Sequence, residues 1–263
     1  MRPTSLPRLQ LSNIISTYEV EGRRLTALDG LSLNVNIAEF VALVGPSGSG
    51  KSTLLDIVSG LLSTDSGAVW LDGIETTAAQ RLGRSAYMQQ RDLLLPWRTT
   101  IGNAALGLEV SGISRADAER RAAAELWRFG LDGFGDVYPA QLSGGMRQRA
   151  AFLRTILPHR ELVLFDEPFG ALDALTRSDL QAWLAALWET ERSSVLLVTH
   201  DVEEAIFLAD RVVVLTPRPG RVAFELTVSL PRPRARAMIA SPEFIRDRTT
   251  LLSALGLLEG PRA

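Results

Sequence analysis

The first apolar run of the chain predicts a strand, a tight loop and a helix in succession. Residues 39–44 (EFVALV) are almost entirely apolar, residues 45–50 are rich in glycine, and residues 51–62 carry apolar side chains at helical spacing. A short apolar run closed by glycines and followed by a 3.6-residue period is typical of a strand–loop–helix unit.

Three later runs resemble the first one. Residues 161–165, 194–199 and 211–215 are nearly all apolar and rich in valine and leucine. Strands that are buried on both faces lose the usual alternation of apolar and polar residues, so these runs predict a parallel sheet covered by helices, an α/β fold. Between two of the runs, apolar residues recur at steps of three and four, which predicts an amphipathic helix whose tryptophans pack in the core. These residues are Leu180, Trp183, Leu184, Leu187 and Trp188.

The middle and the end of the chain lack this alternation of apolar strands and amphipathic helices. Residues 114–129 are rich in alanine and charge, with Ser114 as a candidate N-cap and Asp117 in the capping-box position, and we expect a mostly helical subdomain over about residues 91–157. From residue 217 onward, prolines and arginines replace the alternating pattern. We therefore expect one domain over residues 8–216 and a short tail over residues 217–263.

Composition and charge exclude several classes of protein. The 263 residues are 46% hydrophobic and 22% charged, with a formal net charge of −2 and no cysteine. This composition argues against a basic nucleic-acid binder, a disulfide framework and a thiolate zinc site. No apolar run approaches the roughly 18 residues of a bilayer span, and the first ten residues lack the apolar stretch of a secretory signal, so we expect a cytosolic chain.

Residues 45–53 (GPSGSGKST) fit the phosphate-loop pattern G-x-x-x-x-G-K-[ST]. The pattern lies between a predicted strand and a predicted helix, as its chemistry requires. Gly45, Gly48 and Gly50 let backbone N–H groups point at phosphate oxygens, and the helix that follows adds the positive end of its dipole. Lys51 is expected to reach the β- and γ-phosphates, and Ser52 to bind Mg²⁺.

The use of lysine in this chain supports that interpretation. Of the 28 basic residues, 27 are arginines and the single lysine is Lys51. A compact ammonium fits inside a phosphate loop, whereas a planar guanidinium is too large. The count also excludes the N-K-x-D motif that reads guanine, because no second lysine is available, and this argues against a GTPase.

Two further segments carry candidate chemistry. Residues 162–167 (LVLFDE) form an apolar strand that ends in Asp166 and Glu167, where the first acid could hold Mg²⁺ and the second polarise a water molecule. In isolation, such a pair could equally be ordinary loop residues. Residues 142–146 (LSGGM) place two glycines after a serine at the start of a predicted helix, which makes a second anion cradle without a lysine.

With these motifs in this order, the chain resembles the ATP-binding subunit of ATP-binding-cassette (ABC) transporters from about residue 8 to residue 260. Walker A is residues 45–53, the signature is residues 142–149 (LSGGMRQR), and Walker B ends at Asp166 and Glu167. The D-loop is residues 171–173, and His200 is the switch histidine. The resemblance implies a P-loop NTPase fold with a mostly parallel sheet core, an antiparallel β part near the N-terminus and a helical subdomain.

The resemblance also implies roles for single residues. Glu167 would be the general base or orient the attacking water, His200 would contact the γ-phosphate, and Gln90, rather than Gln89, would sense Mg²⁺ and the γ-phosphate. Tyr18 fits the aromatic residue that stacks on adenine, although a lone tyrosine could simply be packed. The Mg²⁺ ligands would be Ser52, Gln90 and Asp166. The residues expected to bind ATP are Tyr18, Gly45, Pro46, Ser47, Gly48, Ser49, Gly50, Lys51, Ser52, Thr53, Ser143, Gly144, Gly145 and Asp173.

The family organisation implies partners as well. Two copies would pair head to tail, so that ATP lies between Walker A of one copy and the Ser143–Gly145 cradle of the other. Residues 93–97 (LLLPW), the FGALD that follows Walker B, and the tail look like the branch of nitrate, sulfonate and taurine importers, which includes relatives for thiamine precursors. We therefore expect a separate membrane permease, an indirectly coupled solute-binding protein, no nucleic acid, and a peripheral location on the cytoplasmic face of the membrane.

Several alternatives stay open from the sequence. The chain could be a soluble ABC ATPase outside transport, or the cassette of an exporter. Residues 93–97 could be a patch for the permease or part of the subdomain core. The arginines of the tail could lie near anionic lipid, although a solvated charged tail is the simpler interpretation. His200 could be a hydrogen-bonded core residue, and His159 matches no motif and is expected at the surface.

Overall fold

The sheet that carries the candidate site has the strand order β10-β9-β3-β8-β7-β6. The computed structural model describes residues 6–20 and 22–258, so the expectation about the first ten residues lies partly outside them. All neighbouring pairs of this sheet are parallel except β9 and β10, which are antiparallel. The second sheet is antiparallel, in the order β2-β1-β4-β5. The predicted α/β fold with a parallel core and an N-terminal antiparallel part is confirmed.

The strands lie close to the apolar runs that predicted them. Their bounds are β1 Leu9–Val20, β2 Arg23–Val35, β3 Phe40–Val44, β4 Ser66–Leu71, β5 Ile74–Glu75, β6 Ala86–Met88, β7 Leu162–Asp166, β8 Ser194–Val198, β9 Arg211–Leu215 and β10 Val222–Thr227. The helices are α1 Lys51–Ser59, α2 Ala78–Arg81, α3 Thr100–Ala104, α4 Leu106–Val110, α5 Arg115–Glu125, α6 Gly144–Ile156, α7 Ala174–Glu191, α8 Val202–Leu208 and α9 Pro242–Ala254.

The central strands are apolar throughout because each of their faces lies in a different core. In β3, the side chains of Phe40, Ala42 and Val44 pack in one buried cluster, while those of Val41 and Leu43 pack in a second cluster on the other face of the sheet. All five are buried. A strand covered on both sides needs apolar residues at every position, which explains the runs seen in the sequence.

The alanine-rich segment, residues 114–129, forms an α-helix over only part of its length. The Ser114 side chain caps α5 by accepting a hydrogen bond from the Asp117 backbone N–H, as expected. The α-helix ends at Glu125, and residues 126–129 continue as a 3₁₀ helix. Leu126 and Phe129 are buried three positions apart in it, the spacing at which side chains of a 3₁₀ helix lie on the same side.

The residues after the expected boundary at 216 pack against the domain. β10 pairs with β9, and Phe244 and Leu251 of α9 belong to the same buried cluster as Phe40. The described part of the expected tail, residues 217–258, therefore adds a strand and a helix to the fold, while the division into domain and tail stays a prediction. None of the helices in residues 6–20 and 22–258 combines the length and apolar character that a bilayer span requires.

The interpretation of the basic residues as a solvated tail is wrong for two of them. The Arg232 guanidinium pairs with Asp210, at 2.7 Å, and lies 4.0 Å from the centre of the Trp188 ring. Arg234 donates hydrogen bonds to the backbone oxygens of Ile206 and Ala209 at 3.1 and 3.0 Å. These side chains satisfy carbonyl groups at the end of α8, and their structural role was hidden because the partners are remote in sequence.

Candidate functional site

The phosphate loop, residues 45–50, leaves the end of β3 and enters α1 at Lys51. Gly48 and Gly50 have φ of +76° and +90°, in the left-handed region that favours glycine. A side chain on Gly50 would also collide with β2, because its Cβ would lie 2.9 Å from the Ala27 backbone oxygen. No side chain in the described part of the chain caps α1. The first amide groups of this helix therefore face a loop that can hold an anion.

Lys51 is buried inside this loop. Its Nζ donates hydrogen bonds to the backbone oxygens of Gly45 at 2.8 Å and Pro46 at 2.9 Å, and lies 3.4 Å from Ser49 Oγ. Burial lowers the pKa of Lys51, and the nearby charges of Glu167 and Asp166 oppose that shift. The loop thus wraps around a single ammonium group, which places a positive charge where phosphate oxygens would bind.

The side chains of Gln90, Glu167 and His200 lie together at the ends of three neighbouring strands. Glu167 Oε2 lies 3.2 Å from His200 Nδ1 and 3.4 Å from Gln90 Nε2. Gln90 follows β6, Glu167 follows β7 and His200 follows β8. Glu167 itself has φ of +45°, a strained backbone conformation for a residue with a side chain, and its N–H donates to the Val198 backbone oxygen at 2.9 Å. Such strain is typical of functional sites.

Asp166 lies one residue before this cluster, buried at the end of β7. Burial raises the pKa of Asp166; the hydrogen bond from Ser52 lowers it, and the neighbouring charge of Glu167 raises it further. A serine hydroxyl beside a carboxylate suits Mg²⁺, which takes oxygen ligands and keeps several waters. Ser52 and Asp166 therefore fit the predicted metal ligands, with Gln90 at the edge of the same cleft.

The cleft above the loop has a volume of about 290 Å³ and is lined by seven of the fourteen predicted nucleotide-binding residues. Tyr18 lies at its edge, where its hydroxyl donates to Thr53 Oγ1 at 3.0 Å. Gln90 lines the cleft and Gln89 does not, while the role of Gln90 stays a prediction. The residues that line the cleft are Tyr18, Leu25, Ala27, Ser47, Gly48, Gly50, Lys51, Ser52, Thr53, Gln90, Glu167 and Arg218.

The predicted signature residues are not part of this cleft. Ser143 caps α6 by accepting a hydrogen bond from the Met146 N–H, and Gly144 and Gly145 form the first turn of that helix. Asp173 caps α7, and the hydrogen bond from Thr176 lowers the pKa of its carboxyl group. The two helix starts adjoin each other, because a Cβ on Gly145 would lie 2.8 Å from Thr176 Cγ2. One copy of the chain therefore does not bring the second anion cradle to the phosphate loop.

Sequence reasoning missed two charged residues near the site. Arg218 lines the cleft, although the sequence placed it in a charged tail. Glu204 of α8, four residues after His200, is buried, and its Oε2 accepts a hydrogen bond from Gln181 Nε2 at 3.0 Å. The pKa of Glu204 is raised to about 8, mainly by burial and also by the charge of Asp201, while hydrogen bonds from Thr199 and Gln181 oppose the shift. The sequence around Arg218 (PRPG) indicated only the start of the tail.

The raised pKa of Glu204 predicts that alkaline pH destabilises the fold. From its ordinary value of 4.5 up to about 8, the unfolded chain releases a proton that the folded chain retains, so stability falls as pH rises through this window. Between about pH 5.5 and about pH 8, we expect the free energy of unfolding of the parent to fall by about 1–3 kcal/mol more than that of the Glu204→Gln variant, which stays neutral. Urea unfolding of both proteins at the two pH values measures the difference. Equal losses would contradict a neutral Glu204.

Comparisons with known proteins agree with this geometry. The family model described as ABC transporter matches residues 28–170. The chain is 45% identical over 248 residues to an uncharacterized ABC transporter ATP-binding protein of Methanocaldococcus jannaschii, covering 94% of this chain and 91% of that one. It is 40% identical over 249 residues to the taurine import ATP-binding protein of Rhizobium johnstonii, covering 92% and 94%.

Solved structures of ABC transporter cassettes have a fold similar to that of this chain. The fold is similar to the dimeric structure of a bacterial ABC transporter cassette, with a TM-score of 0.74, 32% identity, and coverage of 85% of this chain and 100% of that one. It is equally similar, at 31% identity, to a dimeric post-hydrolysis state of that cassette bound to ADP and phosphate.

Proposed function

The chain belongs to the ABC transporter family, and from that membership we propose that it is the ATP-hydrolysing subunit of an importer for a small solute, working through a separate membrane permease. That the chain is an ABC-type ATPase follows from the family. Import and the solute class rest on one observation, the 40% identity over nearly the full length of both chains to a taurine import ATP-binding protein. Nitrate, sulfonates, taurine and thiamine precursors are the candidate solutes.

The residues around Glu167 support hydrolysis by a positioned water. Glu167 Oε2 is held between His200 Nδ1 and Gln90 Nε2, so its carboxylate has one defined orientation at the edge of the cleft. In the proposed mechanism Glu167 accepts a proton from the attacking water or orients it, and His200 and Gln90 contact the terminal phosphate region. Positioning of this kind accounts for much of the catalysis in phosphoryl transfer.

Mg²⁺ would be held at Ser52, Asp166 and Gln90. When bound, the ion neutralises charge that develops on the terminal phosphates. The Ser52 hydroxyl and the Asp166 carboxyl lie in hydrogen-bond contact and would supply oxygen ligands for the ion. Lys51 and the backbone amides of the loop would supply further positive charge for the phosphates. Tyr18 lines the same cleft, and its ring would stack on adenine there.

The separation of the signature from the cleft supports a dimer of two copies. Ser143, Gly144 and Gly145 start α6 outside the cleft, so a head-to-tail partner would supply this cradle to ATP bound at Lys51. The similar solved cassette is dimeric. ATP would then close the pair, and hydrolysis would open it, which couples chemistry to movement.

The segment after Gln90 supports contact with a permease. Trp97 and Leu93 are 72% and 49% exposed, whereas Leu94 between them is buried. Asn103 holds the segment in place by accepting from the Leu95 N–H at 2.7 Å and donating to the Leu95 backbone oxygen at 3.1 Å. An exposed apolar surface beside a residue of the site can transmit movement to a membrane partner, which would place the subunit on the cytoplasmic face of the membrane.

Reconstitution with the permease tests the proposal. The chain, its permease and the solute-binding protein are assembled in lipid nanodiscs, and ATPase rates are measured with taurine, an alkanesulfonate, nitrate or a thiamine-pyrimidine precursor. We expect one solute class to raise the rate several-fold, because a loaded binding protein favours the closed dimer. A chain that hydrolyses ATP but retains no permease would support a soluble ATPase instead, and stimulation without a binding protein would support an exporter.

A further inference from the structure

The turn between β9 and β10, residues 216–221, is fixed to both the second sheet and the phosphate loop. Thr216 Oγ1 donates to the Pro219 backbone oxygen at 2.9 Å and accepts from the Arg221 N–H at 3.0 Å. The Gly220 N–H donates to the Ala27 backbone oxygen at 2.8 Å. A Cβ on Gly220 would lie 2.0 Å from the Ser49 backbone oxygen, so the turn approaches the phosphate loop as closely as only glycine allows. The turn is therefore a rigid part of the site.

Arg218 extends from this turn over the phosphate loop. Its Nε donates to the Gly48 backbone oxygen at 3.1 Å, and its Nη2 lies 2.9 Å from the position that a Cβ on Gly48 would take. Within residues 6–20 and 22–258, the guanidinium forms no ion pair, and the Gly48 oxygen is its one hydrogen-bond acceptor. Arg218 is exposed, so the other N–H groups of the fork are available to a ligand in the cleft that it lines together with Lys51.

The distribution of charge in the cleft favours a phosphate as that ligand. The Lys51 ammonium lies inside the loop, against carbonyl oxygens, while the Arg218 guanidinium lies on its outer edge beside Gly48. A guanidinium presents parallel N–H groups that match two phosphate oxygens. Tyr18 and Leu25, which face each other on β1 and β2, line the same cleft and offer apolar surface that suits the base rather than the phosphates.

We infer that Arg218 is a further nucleotide-binding residue, whose Nη1 and Nη2 groups donate hydrogen bonds to the phosphate chain of ATP. The inference rests on the proposed function, because it assigns a second cation to the same ATP site. Gly48 makes the contact possible, since any side chain there would displace the guanidinium. Hydrogen bonds of this charge-assisted type strengthen binding without requiring a change in the chemical step.

Binding measurements with the parent and three variants of Arg218 test the inference. Dissociation constants of MgADP and of the non-hydrolysable analogue MgAMP-PNP are measured by calorimetry for the parent, Arg218→Ala, Arg218→Gln and Arg218→Lys. We expect the alanine and glutamine variants to bind about tenfold more weakly, and the lysine variant within about threefold of the parent. The difference between parent and Arg218→Gln should shrink when salt rises from about 50 mM to about 500 mM, because salt screens an exposed charge.

Arg221→Ala is the matched control. Arg221 belongs to the same turn but pairs with Asp29 and does not line the cleft, so its loss should leave both dissociation constants unchanged. Glutamine at 218 keeps a donor for the Gly48 oxygen and removes the charge. If Arg218→Gln binds as tightly as the parent, Arg218 only holds the loop, and the inference is overturned while the ATP site stands. A parent that binds neither nucleotide overturns the proposed function together with the inference.

Discussion

Glu167→Gln lowers the ATP turnover of this protein by about a hundredfold or more in our expectation, while ATP still binds. Glutamine has nearly the shape of glutamate, and its amide oxygen can still face His200 Nδ1 and Gln90 Nε2, which lie 3.2 and 3.4 Å from Oε2 of the parent carboxylate, but it has no charge and cannot accept a proton from water. Removing a negative charge beside the terminal phosphate also weakens repulsion, so the ATP-bound dimer should persist. Phosphate release and light scattering with ATP and Mg²⁺ measure the two effects.

A second glutamate gives the control for this experiment. Glu75 lies exposed in β5, outside the cleft, and Glu75→Gln should hydrolyse ATP at the parent rate and form no lasting dimer. Parent-like turnover in Glu167→Gln would show that this residue is not the base. A slow variant that stays monomeric with ATP would instead contradict the head-to-tail arrangement, or show that the permease is needed to assemble it.

The sequence predicted the parts of this fold that depend on neighbours along the chain. The apolar run at residues 211–215 coincides with β9, because a strand between two cores requires an apolar residue at nearly every position. The phosphate loop was equally clear, since its glycines and Lys51 act within one short segment. In the phosphate loop, the spacing of the residues and their chemistry both indicate the same site, and neither depends on contacts with distant parts of the chain.

Contacts between distant segments could not be predicted. Arg218 reaches Gly48 across 170 positions of sequence, and only the path of the turn after β9 brings them together. The left-handed backbone of Glu167, which orients its side chain, leaves no sign in an apolar strand that ends in two acids. The burial of Arg232 and Arg234 against the end of α8 likewise depends on packing that a run of prolines and arginines does not reveal.

Lys51→Arg is expected to lower hydrolysis by at least about a hundredfold, although the positive charge is kept. The loop encloses Nζ with carbonyl oxygens of Gly45 and Pro46 at 2.8 and 2.9 Å, and Ser49 Oγ lies 3.4 Å away. A guanidinium is planar and wider than an ammonium, so it cannot occupy this space without opening the loop whose amides hold the phosphates. Phosphate release and MgADP binding, with circular dichroism to confirm folding, measure the loss.

Comparison with Lys51→Met separates charge from shape. Methionine is about as long as lysine but uncharged, so it removes the cation with little change in volume. If both variants fail to hydrolyse ATP, the loop requires a cation of lysine's shape, which explains why a chain with 27 arginines keeps its one lysine at this position. If Lys51→Arg turns over ATP near the parent rate while Lys51→Met does not, charge alone is sufficient, and the steric explanation for this lysine is wrong.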